Sequence, residues 1–211
     1  MIVEQTVTWL EMTSPDQLRP GRPPPEPVEL VPADPPLVPL LGETTTQVGK
    51  PHGWTTRPAW SAAQWAEHLA KPEVRAWLAR VGGVPAGVIE LETRPGNEVE
   101  ITIFGLVPEF VGRGFGGHLL TQAVRLAWAT GQPDGAPARR VWLHTASADH
   151  AHALPNYQAR GFRVVRSEVR RKEVPDTDAS RRQAGGPGSA PGTGAWRWQV
   201  GGQTSVPDID A

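Results

Sequence analysis

Residues 98–128 constrain the fold more than any other part of this chain, because they hold a strand pattern, a glycine cluster and a helix pattern in direct succession. The first part alternates around Ile101 and Ile103, which predicts a β-strand. The middle part has four glycines in six residues, namely Gly112, Gly114, Gly116 and Gly117. The last part has apolar residues at helical spacing, namely Leu119, Leu120, Ala123, Val124, Ala127 and Trp128. The stretch therefore predicts a strand, a tight turn and a helix.

The turn, residues 111–117, has the properties of an anion-binding site. The first turn of a helix leaves about four backbone N–H groups without partners, and the helix dipole places partial positive charge there. Glycines allow a phosphate to approach those N–H groups because no Cβ stands in the way. We therefore expect a phosphate-bearing ligand at residues 111–117.

Two common phosphate motifs fit this turn poorly. Residues 112–117 satisfy G-x-G-x-x-G, the dinucleotide fingerprint, which also expects an acidic residue about 20 positions later, at the end of the next strand. Here the next predicted strand ends in His144 and Thr145. A Walker A loop ends in Gly-Lys followed by Ser or Thr, whereas residues 117–119 read Gly-His-Leu.

The turn resembles instead the pyrophosphate loop of the GNAT superfamily, the acetyl-CoA-dependent N-acetyltransferases, whose pattern is Gln/Arg-x-x-Gly-x-Gly/Ala. In this chain it reads Val111-Gly112-Arg113-Gly114-Phe115-Gly116. Residues 150–162 are similar to the family's second signature, Asn-x-x-Ala-x-x-x-Tyr followed by Gly-Phe, and they contain Tyr157, Gly161 and Phe162. The resemblance covers residues 72–172.

The resemblance implies acetyl-CoA as the acyl donor and no metal. It implies that N–H groups of the turn hold the diphosphate, and that the pantetheine arm pairs with the end of the preceding strand. His150 stands where the family carries an asparagine that contacts this arm. The implied cofactor-binding residues are Leu106, Val107, Gly112, Arg113, Gly114, Phe115, Gly116, Gly117 and His150.

The resemblance also implies two catalytic residues, Glu100 and Tyr157. Glu100 stands eleven residues before the loop, where several family members carry a catalytic glutamate. An amine with a pKa near ~10.4 is mostly protonated at neutral pH, so a general base is needed, and we expect burial to raise the pKa of Glu100 for that role. Tyr157 is the expected general acid, and backbone N–H groups near residues 105–107 would polarise the thioester carbonyl. The alternatives are a solvated strand glutamate and a core tyrosine.

The leading functional hypothesis is an N-acetyltransferase in which a primary amine attacks acetyl-CoA directly. Val111 and His150 depart from the family pattern, which keeps open a catalytically inactive module that senses acyl-CoA. A nucleotide-dependent oxidoreductase is a third hypothesis. The expected acceptor is a small-molecule or peptide amine, and a homodimer is an open expectation.

Composition excludes several other classes of function. The formal net charge of −1 and the lack of a basic stripe argue against a nucleic-acid partner. No apolar run approaches the ~20 residues that span a bilayer, and we expect a cytoplasmic protein without a membrane partner. The absence of cysteine excludes disulfides, thiolate metal sites and a cysteine nucleophile. The histidines at positions 118, 144, 150 and 152 fit no standard zinc spacing.

These patterns predict an α/β fold, with a GNAT-like mixed, mostly antiparallel central sheet flanked by helices. Strands are expected at 2–12, 73–81, 84–92, 98–104, 140–145 and 162–171, and helices at 38–48, 61–71, 118–128 and 149–160. Residues 14–36, rich in proline, are expected to be irregular. Residues 1–172 would form one domain, 173–194 a disordered low-complexity insertion, 195–200 a final strand paired with 162–171, and 201–211 a flexible tail.

Overall fold

The central sheet has seven strands among residues 2–55, 57–131 and 135–173, which a computed structural model of the chain describes. The strands are β1 Ile2–Met12, β2 Val28–Pro32, β3 Val74–Val81, β4 Val84–Arg94, β5 Glu98–Leu106, β6 Arg140–Ala146 and β7 Arg163–Glu173. The α-helices of the same residues are α1 Val38–Gly49, α2 Ala62–Leu69, α3 Phe115–Thr130 and α4 Ala153–Ala159.

The strand order is β2-β3-β4-β5-β6-β1-β7, and all neighbours are antiparallel except β5 and β6. A hairpin at Gly82 and Gly83 joins β3 to β4, as two consecutive turn glycines predict. The parallel pair arises because β5 and β6 are connected by α3, and a helical crossover brings the next strand back in the same direction. The predicted mixed, mostly antiparallel sheet is therefore confirmed.

Helices cover both faces of the sheet. On one face, α3 buries Leu119, Leu120, Ala123 and Val124 completely against residues such as Ile101 of β5. On the other face, α1 and α2 pack on β3 and β4 through residues such as Leu41, Trp65 and Leu78. Each large apolar side chain buried in this way contributes roughly 1.5–3 kcal/mol relative to an exposed one.

The N-terminal strand occupies a position that the sequence patterns do not predict. β1 lies between β6 and β7, and it pairs with both along most of its length. β7 therefore has the first strand of the chain as its neighbour. The pairing predicted for residues 195–200 lies outside the described residues, as do the tail at 201–211 and residues 174–194 of the predicted insertion 173–194. The first residue of that insertion, Glu173, is the last residue of β7.

One predicted irregular segment is partly wrong, because residues 14–36 contain strand β2. Val28–Pro32 pairs antiparallel with β3, from Val28 opposite Val81 to Pro32 opposite Trp77. The strand is short, lies at the edge of the sheet and ends in proline, where a missing N–H donor is tolerated. The pairing of β2 with β3 depends on tertiary contacts. The prolines around β2 favour irregular structure, so the local sequence does not predict a strand there.

The other predicted elements agree with the structure to within a few residues. The capping box of α2 is present, since the Ser61 side chain accepts a hydrogen bond from the Gln64 N–H and the Gln64 side chain accepts one from the Ser61 N–H. In the described part of the chain, no helix combines the length and the apolar character needed to cross a membrane.

Candidate functional site

Strands β5 and β6 separate near the middle of the sheet. Their pairing runs only from Glu98 opposite Arg140 to Glu100 opposite Trp142, although β5 continues to Leu106 and β6 to Ala146. The unpaired halves therefore diverge and leave a gap in the sheet. Unpaired backbone N–H and C=O groups in such a gap can bind an extended ligand in the manner of an additional strand.

The glycine turn lies directly after the diverging half of β5. Gly112 and Gly114 have φ angles of 77° and 90°, in the left-handed region where a side chain is strained. Gly114 is the N-cap of α3, so the free N–H groups at the start of a 16-residue helix follow it immediately. The predicted strand, turn and helix are confirmed, and the turn has the local geometry of an anion site.

A cleft of about 320 Å³ joins the glycine turn to the gap between the strands. It is lined from one side by the turn and the end of β5, and from the other side by α4 and the segment that follows α1. The lining residues are Val48, His52, Trp54, Phe104, Gly105, Leu106, Val111, Gly112, Gly114, Gly116, Gly117, Asp149, His150, His152, Ala153, Asn156 and Tyr157.

The cleft brings together six of the nine predicted cofactor-binding residues. Leu106, Gly112, Gly114, Gly116, Gly117 and His150 all line it. Val107 and Phe115 are buried at 3% and 1% exposure, so their side chains belong to the core. The N–H of Val107 already donates to the carbonyl of Ala86 at 3.0 Å. Because neighbouring residues of a strand direct their N–H groups to opposite edges, Leu106 is the residue whose N–H faces the gap.

Arg113 lies apart from the lining of the cleft. Its Nη2 atom is 3.3 Å from Oε1 of Glu26, and its guanidinium carbon is 5.0 Å from the centre of the Phe110 ring. The side chains of Arg113 and Glu26 are both half exposed. The backbone of the turn, and not this arginine, therefore supplies the donors that face the cleft.

The buried carboxylate of Glu100 is clamped by Arg94. Its Oε2 atom accepts hydrogen bonds from Nε and Nη2 of Arg94 at 2.9 and 2.5 Å, and the residue is 5% exposed. Burial alone would raise the pKa of the Glu100 carboxyl, but hydrogen bonding from His144 and the charge of Arg94 outweigh burial and lower it. The expectation of a raised pKa is therefore wrong, and Glu100 does not line the cleft.

His144 continues this cluster towards solvent. Its Nδ1 atom lies 3.4 Å from Oε1 of Glu100, and 49% of its side chain is exposed. Ile101 and Leu143 point into the core beneath α3, so their strand neighbours Glu100 and His144 point to the opposite face. A buried carboxylate thus holds one nitrogen of an imidazole whose ring is accessible at the point where β5 and β6 separate.

Tyr157 lies where the resemblance implies, in the wall of the cleft. It is 7% exposed and its ring packs edge-on against Phe104 at 6.1 Å. Burial raises the pKa of its hydroxyl, and the carboxylate of Asp149 raises it further. The phenol is therefore protonated across the working pH range and can donate a hydrogen bond into the cleft.

Asp149, which no local sequence pattern predicts as a site residue, joins the segment after α1 to the end of β6. Its Oδ1 atom accepts a hydrogen bond from the indole N–H of Trp54 at 3.2 Å, and its Oδ2 atom accepts from Thr145 and from the N–H of Ala146, both at 2.8 Å. Trp54 and Asp149 are 95 residues apart, so no local pattern links them. Their contact fixes the segment after α1 against the end of β6.

A second buried carboxylate, Glu90, lies on β4 and takes part in a separate cluster. It is 1% exposed, and its Oε1 atom accepts hydrogen bonds from Arg57 at 2.6 Å and Thr102 at 2.8 Å. His68 Nε2 lies 3.1 Å from the same atom. The Oε2 atom has no hydrogen-bond partner among the residues that the structure describes.

The histidines of the cleft do not form a metal site. His52 and His150 have ring centroids 6.1 Å apart, and His150 and His152 have centroids 5.2 Å apart. Within the described ranges, no group of three or more histidine or acidic residues could hold a metal ion.

Comparison with known proteins places this fold and cleft in a family. A sequence model described as the acetyltransferase (GNAT) family matches residues 41–162, which is more than half of the chain. A search of curated proteins found none that matches.

Solved structures share the fold. A GCN5-related N-acetyltransferase from Sphaerobacter thermophilus aligns with a TM-score of 0.57 and 17% identity, over 80% of this chain and 51% of that chain. A GCN5-related N-acetyltransferase from Kribbella flavida gives a TM-score of 0.56 and 17% identity, over 86% and 62%. A putative acetyltransferase from the GNAT family of Novosphingobium aromaticivorans gives 0.53 and 18%, over 80% and 64%.

These likenesses concern the fold, because all three identities are below 20%. The chain also spans only about half to two thirds of the length of the three structures. Donor, acceptor and catalytic residues must therefore be argued from the chain's own site.

Proposed function

The chain belongs to the GNAT family of acetyltransferases, and we propose on that basis that it transfers the acetyl group of acetyl-CoA to a primary amine by direct attack. The observation that carries the proposal is the single cleft that runs from the glycine turn to the gap between β5 and β6. One end offers backbone donors for a diphosphate, and the other offers unpaired strand edges for an extended amide-containing arm.

The residues of the cleft fit a coenzyme A molecule. The backbone of the turn is open at Gly112, where an added Cβ would meet no atom within 4 Å, whereas the guanidinium of Arg160 lies against Gly117. The N–H of Leu106 faces the gap, where it can bind a carbonyl of the arm or of the thioester. Ala153 and Asn156 of α4 form the facing wall. His150 replaces the expected asparagine and still lies on the cleft.

In the proposed reaction, a C–N bond forms between the amine and the acetyl carbonyl carbon while the C–S bond of the thioester breaks. The ammonium form, with a pKa near ~10.4, is not nucleophilic and must first give one proton to an acceptor, which passes it to solvent. The nitrogen loses a second proton as the amide forms, and the departing thiolate takes up one proton to become the free thiol. A carboxylate whose pKa is lowered, as that of Glu100 is, accepts a proton weakly at neutral pH.

We therefore assign the proton acceptor to His144, directly or through one water, with Glu100 as the residue that positions it. Nδ1 lies 3.4 Å from Glu100 Oε1, and Nε2 of the exposed ring is on the other side, where it can accept a proton. Arg94 keeps Glu100 ionised. This arrangement uses the glutamate that the family resemblance implies, but it moves the proton transfer to the neighbouring imidazole.

Tyr157 stabilises the departing thiolate by donating a hydrogen bond. A thiol has an ordinary pKa near ~8.5, which is below that of a phenol raised by burial. Complete proton transfer from Tyr157 to the thiolate is therefore uphill. A hydrogen bond from a neutral phenol to a thiolate needs no such transfer and still lowers the barrier.

The experiment is turnover of acetyl-CoA with a panel of small amines and peptides, followed by thiol release and by mass spectrometry of the acceptor. We expect free thiol and a singly acetylated amine in equal amounts. Binding of acetyl-CoA without thiol release, for every amine tested, would favour the acyl-CoA sensor instead. The ion pair between Arg94 and Glu100 supports that second candidate, because it engages the carboxylate that was predicted as the general base.

A further inference from the structure

The segment between β1 and β2, residues 13–27, crosses the fold. β1 lies between β6 and β7, whereas β2 lies at the opposite edge of the sheet, so the chain must pass from one side to the other. Six of these fifteen residues are proline, which fixes φ and stiffens an extended segment. The segment precedes the family match at 41–162. We call residues 13–27 the strap.

The first half of the strap lies against the end of α4. The N–H of Arg19 donates to the carbonyl of Arg160 at 2.9 Å. The carbonyl of Gln17 approaches Gly161 so closely that any side chain at that position would overlap it. These contacts anchor the strap beside the helix that forms one wall of the cleft.

The middle of the strap reaches the glycine turn through a buried hydroxyl. The N–H of Gly21 donates to Oγ1 of Thr121 at 2.8 Å, and the same hydroxyl donates to the carbonyl of Gly117 at 2.8 Å. Thr121 is 3% exposed. A methyl group at Gly21 would overlap the carbonyl group of Gly117, so only glycine allows this approach.

The second half of the strap follows the turn to its other end. Pro25 lies 3.8 Å from the position that a Cβ of Gly114 would occupy, and Glu26 forms the ion pair with Arg113. The strap thus touches the turn at Gly114, Arg113 and Gly117. None of the strap residues lines the cleft. The strap therefore supports the turn from behind, opposite the face that is open to a ligand.

We propose that the strap holds the glycine turn in its ligand-binding shape before coenzyme A arrives, with Gly21 and Thr121 as positioning residues; this inference rests on the proposed function. Glycines lose more conformational entropy on ordering than any other residue. If the turn were mobile in the free protein, ordering it on binding would reduce the affinity for coenzyme A. The proline-rich strap removes that loss, because the turn is already held through Thr121.

Thr121→Val tests the proposal, because valine keeps the shape of threonine and removes both hydrogen bonds. Thr121→Ser is the matched control, since it keeps the hydroxyl. By calorimetry we expect Thr121→Val to bind CoA roughly tenfold more weakly, and Thr121→Ser to bind it like the wild type. In steady-state kinetics the KM for acetyl-CoA should rise, while kcat at saturating acetyl-CoA stays unchanged.

Amide hydrogen exchange of the free protein is the second readout, and it does not depend on CoA. We expect faster exchange at residues 112–117 in Thr121→Val and in Gly21→Ala than in the wild type, with the strands of the core unchanged. Arg22→Ala, at an exposed strap position that is not a proline, is the control. Unchanged exchange together with wild-type CoA affinity in both variants would overturn the strap's role. Failure of the wild type to bind CoA would overturn the proposed function, and the exchange data would still decide the strap.

Discussion

His144 Nδ1 lies 3.4 Å from Oε1 of Glu100, which is the last residue of β5 paired with β6 before the two strands diverge. The carboxylate is buried and held by Arg94, whereas half of the imidazole is open to solvent. The pair therefore has one fixed, ionised member and one member that a substrate can reach.

His144→Gln should lower kcat/KM roughly 100-fold, because it removes the group that accepts the amine proton. CoA affinity should stay within about twofold, as the ring lies outside the lining of the cleft. His118→Gln, on α3, is the matched control and should keep the wild-type rate. A His144→Gln enzyme with the wild-type kcat/KM would rule out this assignment.

Glu100→Gln should lower the free energy of unfolding by an amount that depends on pH. The pKa of Glu100 is lower in the folded state than its ordinary value of 4.5, so its ionised form stabilises the fold above that pH. The stabilising contribution is lost as the pH falls through the folded-state pKa. Urea unfolding of wild type and variant should therefore give a stability difference that is largest near pH 7 and shrinks below about pH 4.5. A difference that stays constant down to pH 3 would contradict the clamp.

Tyr157→Phe should lower kcat roughly tenfold, because the departing thiolate loses a hydrogen-bond donor. The phenylalanine fills the same buried space beside Phe104, so folding and CoA affinity should change little. The measurement is kcat at saturating acetyl-CoA, with CoA affinity by calorimetry. Wild-type kcat in the variant would leave Tyr157 as a packing residue only.

Glu90→Ala should destabilise the fold by about 3 kcal/mol, because it leaves the mostly buried Arg57 without its carboxylate. The measurement is the free energy of unfolding in urea. Glu4→Ala is the control, since Glu4 and its partner Arg171 are both largely exposed, and it should leave the unfolding midpoint unchanged. Equal midpoints for the two variants would mean that the Glu90 cluster contributes no net stability.

Local sequence was sufficient for the strand, glycine turn and helix that form the donor side of the cleft. Gly112, Gly114 and the apolar spacing of α3 act within a few residues of one another, and the structure confirms all three elements. The α2 capping box was readable for the same reason, because Ser61 and Gln64 lie in one turn. Such features depend on neighbours in the chain, which a single sequence displays directly.

Contacts between residues far apart in the chain could not be predicted from the sequence in the same way. The place of β1 beside β7 depends on pairing between residues about 160 positions apart, and the contact of Trp54 with Asp149 spans 95. Burial alone predicts a raised pKa for the Glu100 carboxyl, and a single sequence does not show that Arg94 lies beside it. The turn at residues 94–97 did contain a signal, since a hairpin there brings Arg94 opposite Glu98 and close to Glu100.

We propose that the backbone of residues 111–117 binds the diphosphate of coenzyme A, with the gap between β5 and β6 receiving the pantetheine arm. A crystal structure of the complex with CoA tests both parts at once. We expect diphosphate oxygens within about 3 Å of backbone nitrogens between Gly112 and Gly117, and a pantetheine carbonyl that accepts a hydrogen bond from the N–H of Leu106. CoA bound elsewhere, or with its diphosphate held only by side chains, would contradict this proposal.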